Sequence, residues 1–317
     1  MISRRLIRIK AMQTYYAFLQ EEDETSISKV WNELERSIIK SHNLYIYLHC
    51  LIIAISDFAK ESIEIKKKKL IPTYSDLNPN TRFVDNKIIE SFRNNPTISS
   101  YMSNIEYNWI EYPEFIQKLW IAISNSDDYN AYMNLKEPST IKDDYQILEK
   151  IVKNNIVDNE KIEEILEDKS IYWNDDLEFA LSNMLHHIKK LNDNKMSYTL
   201  EPVFKNENDE TFAKDLIKKT TLNTKKFDIF ITDIVKKWEL ERIAFLDRVI
   251  LHLALCELTQ MPNIPVKVTI NEYLDISHCY STPKSSIFIN GIIDRIYEQL
   301  NKENKLYKLE NENENEN

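Results

Sequence analysis

Across 317 residues the chain carries 43% hydrophobic and 29% charged side chains, a net charge of −10 and a single glycine. That length suffices for a real core in one large domain or two ordinary ones, and the acidic balance excludes wholesale nucleic-acid binding, so any such contact is local. One glycine excludes glycine-rich phosphate loops, dinucleotide loops and nucleophile elbows, and with only nine prolines the tight turns of β architectures lack their usual residues. An all-α chain is expected. Abundant Lys, Asn and Ile, as from an AT-rich gene, account for part of the missing glycine.

Ser3 is an N-cap for a helix over residues 3–20, with Ile9, Met12, Tyr16 and Leu19 on one stripe. Residues 26–70, capped by Ser26, read as one long helix or two, broken by Pro72 and "DLNPN". Its apolar run from Leu44 to Ile55 is interrupted by His49 and Cys50. That is well short of the roughly 20 residues of a membrane span, so a buried helix and no membrane contact are expected. Shorter helices are expected over 84–94, 109–123, 143–153, 160–169 and 176–191, then over 211–219, 225–237, 242–259, 268–279 and 283–300. No strand pattern of useful length appears. The ending "KLENENENEN" is acidic low complexity, expected to be disordered over 301–317.

Cys50, Cys256 and Cys279 are too few and too irregular for a disulfide framework and fit a reducing cytosol. The N-terminal residues show no signal-peptide pattern, so a cytoplasmic protein is expected. His252 and Cys256 stand four apart, with His278 and Cys279 downstream. Zinc sites usually need closely spaced ligand pairs on both sides, so these are read as core residues, without metal or cofactor. No acid–base pair for catalysis stands out, and a non-enzyme is expected.

The helix from Arg242 to Thr259 is apolar nearly all round, as in a helix enclosed by its neighbours. After Pro262 and Pro265, Thr269 and Glu272 have capping-box spacing. Thr282 then reads as an N-cap with Pro283 at the first helical position. The following "TPKSS" admits two readings. It is an ordinary cap with an exposed lysine, or an anion site in which Lys284, Ser285 and Ser286 join the free N–H groups of a helix start. Gly291, the one glycine, lies within this last helix, on a flank near Lys284 and Phe288. A flat spot there suits close approach by a packed helix or a bound chain.

The segment "ILHLALCEL…IPVKVTINEYLDISHCYSTPKSSIFINGIIDRI" resembles the C-terminal half of NusB-type transcription antitermination factors. "RRLIRIKAMQTYYAFLQ" resembles that family's Arg-rich opening, and "FAKDLIKKTTLNTKKFDIFI" its third helix. The resemblance covers residues 3–20 and 212–298. It implies an all-α, NusB-like pair of small helical bundles with an additional helical insertion. Residues 1–22 then form the first helix with a basic arm, 23–209 the insertion, and 210–300 the remainder. It further implies a factor that pairs with a NusE-like small-subunit ribosomal protein on boxA-like RNA, within an RNA polymerase antitermination complex. By resemblance the RNA-facing residues are Arg4, Arg5, Arg8, Tyr16, Lys284, Ser285 and Phe288, and the partner-facing residues Asp247 and Arg248. Each has a plainer reading: a solvated arm, a core tyrosine, a helix cap, a surface charge. Lys66 to Lys69 either extend an RNA track or complement a helix dipole. The competing function is a NusB-fold interaction scaffold that has lost RNA binding and works through the insertion.

Overall fold

The computed structural model describes residues 2–21, 26–104, 108–191, 198–235, 243–306 and 308. The start expected at Arg242, the end of the 225–237 helix and the tail from 309 onward lie outside these residues. Regular structure among the described residues is helical throughout. The chain divides into two compact units, one of Ile39–Val203 and one of Ile2–Ile38 with Phe204–Asn317.

The helices are α1 (Arg4–Gln20), α2 (Ile27–Lys67), α3 (Tyr74–Leu77), α4 (Lys87–Arg93), α5 (Pro96–Met102), α6 (Pro113–Ser124), α7 (Asp127–Met133) and α8 (Ile141–Ile151). A π-turn, Val152–Ile156, follows α8. Then come α9 (Glu160–Lys169), α10 (Leu177–Ile188), α11 (Glu207–Leu222), α12 (Thr224–Val235), α13 (Phe245–Gln260), α14 (Val266–Tyr280) and α15 (Pro283–Lys302). The segment from 26 is therefore one helix of 41 residues. Asn, Ser and Thr side chains do the punctuating that glycine does elsewhere: Asn86, Asn95, Ser126, Thr140 and Asn159 each accept a hydrogen bond from the first turn of the helix they open.

In the unit of Ile39–Val203 the run expected to be buried is buried, Leu44 to Ile55 forming the spine of the core. By length and composition α2 is long and apolar enough to cross a membrane, but 78% of its most apolar window is covered by the rest of the chain. Tyr47 stacks between Trp109 and Trp173, with ring centroids 4.5 and 5.4 Å away. Both indoles donate to α2 carbonyls, Trp109 to Tyr47 and Trp173 to Lys40. His49 is fully buried, its Nδ1 2.7 Å from the Tyr45 carbonyl and its Nε2 2.6 Å from the Tyr198 hydroxyl. A carbonyl only accepts, so Nδ1 carries the proton and Tyr198 donates to Nε2.

The other unit is organised around α13, which packs against α1, α11, α12, α14 and α15. Eleven of its residues are buried, including Asp247, His252 and Glu257. The expected enclosure holds, and it forces those three polar groups to find partners.

One cap differs from expectation. Helix α14 begins at Val266 behind Pro265, so Thr269 sits a turn inside it and forms no capping box with Glu272. The Thr269 hydroxyl instead donates to Glu257 Oε1 at 2.8 Å. A buried carboxylate needing donors competes better for that hydroxyl than a local backbone N–H.

Candidate nucleic-acid interface

The basic opening divides by direction around α1. Arg4 is paired with Asp209 in the first turn of α11, Nε to Oδ1 at 2.7 Å, and its guanidinium lies over the Phe212 ring. Arg5 reaches Asp275 on α14 at 2.9 Å, with both side chains about half exposed. Arg8 is 2% exposed and grips Glu257 on α13 with two hydrogen bonds, at 2.9 and 2.7 Å. Burial opposes the Arg8 charge, yet the hydrogen bonds and charge of Glu257 hold its pKa above the ordinary arginine value. Tyr273 and Thr269 complete the carboxylate's partners. Arg8 is thus a core cation, and its guanidinium has no open face for a phosphate.

Tyr16 lies eleven residues after Arg5, a spacing that returns to the same face of α1 about 16 Å further along. It is 37% exposed and meets Phe245, the first residue of α13, edge to face at 4.9 Å. Two residues on, Asp247 is buried and accepts a 2.6 Å hydrogen bond from the Ser281 hydroxyl. Ser281 directly precedes Thr282, whose hydroxyl accepts from the Ser285 N–H as N-cap of α15. A continuous line of contacts therefore runs from Tyr16 through Phe245, Asp247 and Ser281 to the start of α15.

At that start Pro283 occupies the first helical position, as expected, and Lys284 is exposed. Ser285 Oγ accepts from Thr282 Oγ1 at 3.1 Å and keeps its own proton to donate. Ser286, by contrast, is buried and donates to the Ser277 carbonyl, so it is no outward donor. Phe288 is half-buried. Lys284 opposes the positive helix end, a combination that favours an external anion. Gly291 is exposed, and a Cβ there would meet nothing within 4 Å. The chain's own packing does not require this glycine.

Arg248 is held by Asp228 of α12 through two hydrogen bonds, at 2.7 and 2.6 Å, and His252 Nε2 lies 2.9 Å from the same carboxylate. Burial alone raises a carboxyl pKa; here the His252 and Arg248 contacts win and hold Asp228 below its ordinary value. The other ring nitrogen of His252 meets the Tyr15 hydroxyl at 2.8 Å. Cys256 is buried against the Leu216 carbonyl, and burial pushes its thiol up to about 12. No cluster of His, Cys, Asp or Glu suited to a metal occurs among the described residues.

The acidic partners Asp209, Asp228, Glu257 and Asp275 and the aromatic Phe245 escape sequence reasoning. Glu257 alone had a visible signal, a single acid inside the apolar "LALCEL". Such an acid must be paired if the helix is enclosed.

An all-α protein, with a bundle that gathers an exposed aromatic, a capped helix start and a lysine that no ion pair holds among the described residues, is what this geometry defines. The NusB family model matches residues 177–298. A transcription antitermination protein NusB from Salinibacter ruber is 30% identical over 140 residues, covering 44% of this chain and 81% of that protein. The Bacillus mycoides protein of the same name is 40% identical over 96 residues, covering 30% and 74%. The solved structure of T. maritima NusB is 31% identical, covering 38% of this chain and 75% of that one, with a TM-score of 0.28. The chain belongs to the NusB family.

Proposed function

We propose that this protein is a non-enzymatic, cytoplasmic, RNA-binding transcription antitermination factor. It acts with a NusE-like small-subunit ribosomal protein on boxA-like RNA during ribosomal RNA transcription, within the RNA polymerase antitermination complex. The observation that carries the reading is the contact line from Tyr16 to the start of α15. It sets an aromatic face for an unpaired base beside the Lys284 ammonium and backbone N–H and the Ser285 hydroxyl, donors for a phosphate. Lys284 and Ser285 grip the phosphate, Phe288 flanks it, and Tyr16 stacks on a base. Arg5 exchanges its exposed Asp275 contact for a phosphate, an exchange that costs little because exposed ion pairs are weak. Arg4 contributes along the α11 edge, and Arg8 holds α1 in place from within. Asp247 positions the α15 start through Ser281, and Arg248, fixed by Asp228, belongs to the adjoining partner face. Residues 23–209 are an insertion in this scheme.

The test is affinity for boxA-like RNA with and without the ribosomal partner. Affinity rises with the partner and falls when Arg4, Arg5 and Lys284 become alanine; unchanged binding in that triple variant would sink the site assignment. A second reading, an interaction scaffold without RNA binding, is favoured by the pairing of Arg4, Arg5 and Arg8 with Asp209, Asp275 and Glu257. It predicts no RNA affinity under either condition.

A further inference from the structure

Where α2 ends, the unit of Ile39–Val203 exposes a run of large apolar side chains. Leu70, Ile71 and Tyr74 are 99%, 83% and 84% exposed, and Ile65 and Leu77 are exposed as well. Single exposed leucines need no explanation, but a run of large apolar side chains within residues 65–77 does.

The segment is held in shape by its own polar groups. The Lys68 and Lys69 N–H groups donate to the Ile65 and Lys66 carbonyls, extending the last turn of α2. Thr73 caps α3 in a reciprocal capping box with Asp76. Lys69 Nζ donates to both Asp76 oxygens at 3.1 Å, closing a loop that carries Leu70, Ile71, Pro72 and Tyr74. Tyr74 and Leu77, three apart, share one face of α3.

Charge completes the pattern. Residues 64–78 hold four lysines against Glu64 and Asp76, a net positive patch on a chain of net charge −10. Lys67 pairs with Glu64 and Lys69 with Asp76, whereas no ion pair holds Lys66 or Lys68 among the described residues.

We propose that this tip docks on a bilayer surface bearing anionic lipid headgroups. An interfacial element sinks aliphatic side chains about 5–10 Å into the headgroup boundary and surrounds them with lysines. Leu70, Ile71, Leu77 and Ile65 supply the first part, Lys66 to Lys69 the second, and Tyr74 suits the headgroup level where tyrosines concentrate. A nucleic acid is the less fitting occupant, because base recognition uses aromatic faces and only Tyr74 offers one. The contact is peripheral, since the apolar body of α2 remains in the protein core. It stands independently of the RNA reading.

The experiment is co-sedimentation of the full chain with vesicles of phosphatidylcholine, with and without phosphatidylglycerol. Binding to the anionic vesicles exceeds binding to the neutral ones and weakens with salt. Replacing Leu70 and Ile71 by serine, or Lys66 and Lys68 by glutamate, lowers it by roughly tenfold or more. Thermal melts of both variants match the parent, which separates lost docking from lost folding. Failure of the parent chain to bind anionic vesicles overturns the proposal, as does binding indifferent to Leu70 and Ile71. Polyuridine RNA serves as the competing probe. If the Lys66 and Lys68 changes abolish its binding and leave vesicle binding intact, the patch is a nucleic-acid contact and the proposal is wrong.

Discussion

Arg8 of α1 and Glu257 of α13, 249 residues apart, join through two hydrogen bonds with both side chains withdrawn from solvent. The pair ties the chain's opening to its most enclosed helix. It also changes the meaning of the N-terminal basic run: one arginine serves the interior, while its neighbours Arg4 and Arg5 reach separate helices.

Removing Arg8 leaves the buried Glu257 without its ion-pair partner, whereas removing the Glu257 charge leaves Arg8 a looser one, Nη1 to Glu272 Oε2 at 3.6 Å. Arg8→Met is expected to destabilise the fold by about 3–5 kcal/mol and Glu257→Gln by less, measured by urea unfolding. A loss below about 1 kcal/mol would show the pair to be solvated in solution.

At the proposed RNA face, the two contact types are separable by salt. Lys284→Ala is expected to weaken RNA binding and flatten the salt dependence by about 0.7 of a logarithmic unit per unit log salt, one phosphate on a single strand. Tyr16→Ala is expected to cost about 1–3 kcal/mol with the slope unchanged. Titrations at several salt concentrations distinguish them; an equal slope change in both variants refutes the division of roles.

Gly291 gives a test with opposite signs. A methyl group there meets open space, so Gly291→Ala is expected to stabilise the protein by about 0.5–1 kcal/mol. If a bound chain comes close to this backbone, Gly291→Leu also lowers affinity for RNA or the ribosomal partner. Normal affinity in the leucine variant would leave helix propensity as the glycine's only consequence.

The buried His49 sets a pH response. Burial drives its pKa from the ordinary 6.5 to about 3, so the folded form stays neutral where the unfolded chain takes up a proton. Stability that is full above pH 6.5 is therefore lost as pH falls towards 3, with a slope of about 1.4 kcal/mol per pH unit from this group. Denaturation at stepped pH measures the slope. His49→Phe removes that component, at the cost of the Tyr198 hydrogen bond.

Helices, their caps and the enclosure of α13 were legible because they depend on local spacing. Ser3 and Thr282 announce helix starts through hydroxyl-to-backbone contacts within three residues. The apolar periods of "LDRVILHLALCEL" need no knowledge of the neighbours. The short helices α3, α5 and α7 escaped because one or two turns carry too little period to stand out.

Partner choice was not legible. Nothing near Thr269 says that its hydroxyl will serve Glu257 rather than cap α14, and nothing near Arg8 says that it turns inward while Arg5 turns out. Composition and periodicity are properties of neighbours in the chain, and they settle an all-α protein and its family motif. Which charges are spent on one another, and which stay available at the start of α15, depends on side chains brought together from different helices, for Arg4, Arg5 and Arg8 across 200 residues or more. Only the packed helices decide that, because a buried charge takes whatever partner the fold brings within reach.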